Sequence, residues 1–88
     1  MEVYPETKYI NAYAALRDFD KIVIIWQKLV EQDPVNLRYR LSLASAYIKI
    51  RQDEKAITEI EKIIELSPAF KEQGVAYIRQ IREGRLDR

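Results

Sequence analysis

The side chains able to do chemistry in this sequence are carboxylates, lysines, tyrosines and serines, because it holds no histidine and no cysteine. The commonest general base near neutral pH, the commonest metal ligand and the thiol nucleophile are therefore all missing. The closest acid pairs are Glu59 with Glu61 and Asp53 with Glu54. Residues one or two apart on a helix point to different faces, so neither pair converges on one substrate. Asp18 and Asp20 flank a turn without the glycine-bearing loop that calcium requires, and no glycine-rich phosphate loop occurs. These acids read as solvated or capping groups. The expectation is a protein that is not an enzyme, with no cofactor, no metal and no small-molecule substrate.

A second chemistry is phosphate contact. Arg79, Arg82, Arg85 and Arg88 recur every third residue and can form a basic strip. Glu83 and Asp87 interrupt it, the net charge is only +1, and cations at a helix C-terminus are favoured by the helix dipole without any ligand. Nucleic-acid binding is thus a distant alternative.

The elements that must position these groups are helices. Charged residues make up 33% of the chain and apolar residues 48%, with two glycines and three prolines, which suits one small helical domain. Apolar spacing predicts helices over 3–16, 19–31, 35–50, 54–66 and 69–83. Ile22, Val23, Trp26, Leu29 and Val30 form the stripe of the second, with Trp26 expected as a core anchor. Ala56, Ile57, Ile60, Ile63 and Ile64 form the stripe of the fourth, and Glu59 is placed to pair with Lys62 on its opposite face. Asp18 and either Gln52 or Asp53 are the expected caps. Ser42, Ala44, Ser45 and Ala46 make a small-residue patch on the third. Gly84 suits the end of the fifth.

The chain also repeats itself. Tyr13, Arg17, Lys21, Lys28, Glu31 and Pro34 recur 34 residues on as Tyr47, Arg51, Lys55, Lys62, Glu65 and Pro68. Val23, Trp26, Leu29 and Val30 recur as Ile57, Ile60, Ile63 and Ile64. Self-similarity at a fixed period marks stacked helical units.

On these residues the sequence resembles the tetratricopeptide repeat family, whose unit is a 34-residue helical hairpin. Leu43-Ala44, Tyr47, Ala56, Ile60 and Pro68 match its pattern in the second copy. Tyr9-Ile10, Tyr13, Ile22, Trp26 and Pro34 hold those places in the first, and Tyr77-Ile78 and Ile81 begin a third. The family's first tryptophan is replaced by Glu6, Arg40 and Gly74, and its turn glycine by Arg17 and Arg51. The resemblance implies an all-α helical-hairpin solenoid of five helices in one domain over residues 1–88. Its first repeat is about 3–34, its second about 35–68, and a capping helix follows at about 69–84.

The resemblance further implies a non-catalytic scaffold whose concave groove takes a peptide or partner protein. Mapped by the repeat, the groove positions are Tyr4, Thr7, Asn11, Arg38, Leu41, Ser45, Ile48, Lys49, Glu72, Val75 and Arg79. Leu41, Ile48 and Val75 are the apolar footholds. Arg38, Lys49 and Arg79 favour some acidic character in the occupant. Chaperone-binding members hold a C-terminal carboxylate with a clamp whose places here are Thr7, Asn11, Ser42, Glu72 and Ala76. Only Asn11 matches, so that mode is not expected.

The alternative reading is structural self-association, as a homodimer or as a piece of a longer array. Ile24 and Ile25 fall outside the stripe of the second helix and make it apolar nearly all round. Solenoid ends need polar caps, so these two residues are the expected self-association site. The longest apolar run, 22–26, is far short of a membrane span. The first residues do not read as a signal peptide, which favours a cytoplasmic setting.

Overall fold

A computed structural model describes residues 10–84. Among the described residues every regular element is helical: α1 (Ile10–Ala15), α2 (Phe19–Gln32), α3 (Leu37–Lys49), α4 (Asp53–Leu66), a 3₁₀ turn (Pro68–Phe70) and α5 (Lys71–Arg82). The boundaries follow from local chemistry. Pro34 and Pro68 bias the residue before them away from helix, and the chain leaves α2 at Asp33 and α4 at Ser67. Gly84, at φ 69°, takes the left-handed position after α5.

Consecutive helices pack antiparallel. Lys49 lies over Phe19 and Tyr39 against Trp26, which sets α3 against α2. Arg40 meets Glu59, and Tyr47 meets Lys55, which sets α4 against α3. Arg82 meets Glu54 at 3.2 Å, which ties the end of α5 to the start of α4. The core runs through α2, α3 and α4 and takes in Ile81 of α5. Ala44, Ala56 and Ile60 have no exposed surface at all. Small side chains at Ala44 and Ala56 let α3 and α4 approach closely, and a larger residue at either place would hold the helices apart.

The backbone repeats as the sequence does. Arg17 and Arg51 both adopt positive φ, at 58° and 65°. The Arg17 amide donates to the Ala14 carbonyl at 3.0 Å, and the Asp18 amide to that of Tyr13 at 2.7 Å. Thirty-four residues on, Arg51 donates to Ile48 at 3.0 Å and Gln52 to Tyr47 at 2.9 Å. The closing turns match too. Asp33 donates to Leu29 at 3.0 Å and Ser67 to Ile63 at 2.8 Å, while Asn36 donates to Asp33 and Phe70 to Ser67.

Several local expectations change. Asp18 and Gln52 sit at the N-caps of α2 and α4, but neither side chain makes a capping hydrogen bond, and Asp53 is already inside α4. The one side-chain cap bond among the described helix starts comes from Asn36, whose Oδ1 accepts from the Tyr39 amide at 3.1 Å. This cap starts α3 at Leu37, two residues later than expected. Glu59 does not pair with Lys62: it takes Arg40 Nη1 at 2.9 Å, and Lys62 turns to Glu65 at 3.3 Å. Arg40 also donates from Nε to the Pro34 carbonyl at 2.7 Å. One guanidinium thus fastens the α2–α3 turn to α4, at the place where the family pattern has a tryptophan.

Candidate interaction site

The groove positions expected from the repeat do not form one surface. Ser45 and Lys49 are exposed on α3 and line a groove of about 290 Å³ between α2 and α3. Val75 and Arg79 are exposed on α5 and line a larger concavity of about 620 Å³ with Pro68, Lys71, Glu72 and Ala76. Arg38 is exposed and Leu41 half-buried, outside the described lining of both. Ile48 is a correction. It is 4% exposed and belongs to the core, because α3 is covered on two sides, by α2 and by α4. Tyr4 and Thr7 lie outside the described residues, and so does the side chain of Asn11.

The self-association pair also divides. Ile24 is 50% exposed, as expected, but Ile25 is 6% exposed and buried within its own chain. The helical turn between them is wide enough to send neighbouring side chains to different surroundings. Trp26 is corrected as well. It packs against the core from its edge and is only half-buried, whereas its counterpart Ile60 is fully buried.

The groove between α2 and α3 contains residues the repeat mapping missed. Its described lining is Phe19, Ile22 and Trp26 from α2 and Ser42, Ser45, Ala46 and Lys49 from α3. Antiparallel packing sets Phe19 across from Lys49 at one end. Toward the other end Trp26 stacks against Tyr39, ring centroids 5.9 Å apart and tilted by 49°. Large side chains on α2 face small ones on α3, and the difference in reach leaves the depression. The small-residue patch read from the sequence does not all receive a helix: Ala44 and Ala46 are buried, while Ser45 opens to solvent. Its hydroxyl comes within 3.5 Å of Tyr77 Oη, joining α3 to α5.

Arg17 and Lys49 both lie within cation–π distance of the Phe19 ring. The Arg17 guanidinium carbon is 5.4 Å and Lys49 Nζ 5.9 Å from its centroid. Below the groove, Gln27 Nε2 donates to Tyr47 Oη at 2.9 Å, satisfying a phenol that is 7% exposed. Of the C-terminal arginines, Arg82 is held by Glu54 and Arg79 lines the α5 concavity, as Glu72 does, while Arg85 and Arg88 lie outside the described residues. Among the described residues no cluster of acids is placed to hold a metal ion. No described helix is long and apolar enough to cross a membrane.

No family model, curated protein or solved structure matches this chain.

Proposed function

We propose that this chain is a tetratricopeptide-type module: two helical hairpins and a capping helix in a right-handed superhelical array. It makes no covalent chemistry and presents a groove to a peptide or partner protein. The observation that carries this reading is the recurrence, 34 residues apart, of positive φ at Arg17 and Arg51 together with the same pair of backbone hydrogen bonds. That ending is a common one for helices; what supports the reading is its return at the 34-residue spacing at which the residue types also repeat. The capping role of α5 is supported by its outer positions. Gln80 and Arg82 are exposed where α3 carries buried Ala46 and Ile48, and a polar outer face is what a terminal unit needs. A preformed groove loses little entropy on binding, which favours recognition as its use.

The test is selection of linear peptides from a display library on the intact chain, repeated on Arg38→Glu and Lys49→Glu variants. Peptides that bind the parent and not the variants support the reading. A library that yields no binder to the parent refutes it.

Self-association is the second reading, favoured by the half-exposed Ile24 on the outer face of α2. It predicts a mass above that of one chain by sedimentation equilibrium, reduced to one chain by Ile24→Glu. A monomer at high concentration removes it.

A further inference from the structure

We infer that the groove between α2 and α3 selects peptides carrying a carboxylate and, about three residues away in polyproline II conformation, a large apolar side chain. This rests on the peptide-binding reading above and gives that reading its chemistry. The carboxylate belongs at the Phe19 end. Arg17 and Lys49 both reach that ring, both are exposed, and neither makes an ion pair among the described residues. A cation over an exposed aromatic face is stabilised by only about 0.5–1 kcal/mol, so both charges remain available to an anion at the mouth of the groove. Lys49 is the sole charged side chain in the described lining. The described lining holds no opposing carboxylate, which is charge complementarity of one sign.

The apolar side chain belongs on Ile22 and Trp26. From Phe19 to Trp26 is seven residues along α2, about 10 Å at the helical rise. A polyproline II peptide covers about 9 Å in three residues, one full turn, and so returns a side chain to the same face. A groove of about 290 Å³ lies near the lower end of ligand-site volumes, so it takes one or two side chains rather than a folded surface. The hydroxyls of Ser42 and Ser45 stand along the α3 wall, where they can meet the peptide's own amides and carbonyls.

The same residues make the test clean. Arg17→Gly removes one cation while placing glycine at a left-handed position that favours it. Lys49→Gln changes an exposed side chain. The chain's single tryptophan, Trp26, reports occupancy by its fluorescence. Random linear octapeptides are displayed to the intact chain, enriched clones are sequenced, and two are synthesised for titration. The expected result is an Asp or Glu three positions from Leu, Ile, Phe or Trp, with a blue shift of Trp26 emission on binding. Affinity should fall about fivefold in Lys49→Gln, the scale of a rim ion pair, and further in the double variant with Arg17→Gly. It should also weaken as salt is raised. Binders without an acidic preference, binders that leave Trp26 emission unchanged, or affinity unaltered in the double variant each overturn this inference and leave peptide binding intact. Absence of any binder overturns both.

Discussion

Arg51 occupies a backbone conformation that costs an L-residue free energy, and replacing it should stabilise the fold. Its φ is 65°, inside the left-handed region, where a side chain crowds the following carbonyl at about 1–2 kcal/mol. Glycine removes that term but gains freedom in the unfolded chain, worth about 0.4–1 kcal/mol in the opposite sense. The difference favours Arg51→Gly by about 1 kcal/mol. Arg51 is exposed and makes no ion pair among the described residues, so little else is lost. Arg17→Gly should gain less, because it also gives up the contact with Phe19, about 0.5–1 kcal/mol at an exposed site. Urea unfolding followed by helical circular dichroism measures both, with Arg51→Ala as the control that keeps the strain. A gain of about 1 kcal/mol should also raise Tm by roughly 4–8 °C in a domain of this size. An Arg51→Gly variant no more stable than Arg51→Ala would show that the turn is not strained there.

Ile60→Ala should cost about 2–5 kcal/mol, since the side chain is wholly buried, and Trp26→Ala should cost less because Trp26 is only half-buried; equal losses in chemical denaturation would refute this order. Gly74→Ala should destabilise despite a helix-propensity gain of about 1 kcal/mol. Its new Cβ would come within 2.8 Å of Ile64 Cγ1 and Cδ1, an overpacking expected to cost about 1–3 kcal/mol, and Ile64→Val should recover part of the loss. Arg40 and Glu59 should couple by about 1 kcal/mol in a double-mutant cycle, because both are mostly shielded from solvent; additive single losses would reduce that bridge to a surface contact.

The helices and their stacking order were legible because apolar residues repeat at helical spacing and the whole pattern repeats at 34. The second copy reads best, since Ala44, Ala56 and Ile60 are buried as their types suggest. What the sequence hid were the choices made by single side chains. Ile25 and Ile48 look available on a helical wheel, yet each is buried, and a wheel does not record how many neighbours a helix has. Glu59 had a partner in reach on its own helix and took Arg40 on another, because a guanidinium already anchored on the Pro34 carbonyl is pre-positioned. The aromatic side of the groove was missed for a related reason. Phe19 and Trp26 sit on the second helix of their hairpin, whereas the family resemblance looks for ligands along the first.

The groove's chemistry belongs to one copy although the backbone belongs to both. At the corresponding places 34 residues on, Phe19 becomes Asp53, Trp26 becomes Ile60, and Lys49 becomes Glu83. Two carboxylates stand where the first copy has an aromatic ring and a cation, and a buried isoleucine stands where it has a half-buried tryptophan. An acidic occupant drawn to Arg17 and Lys49 would therefore be repelled at the junction of α4 and α5, although Arg51 repeats Arg17. This is how a repeat can keep its fold and confine its recognition. The positions that set turn geometry and helix crossing stay alike. The rim positions, which the core does not need, are free to differ in charge.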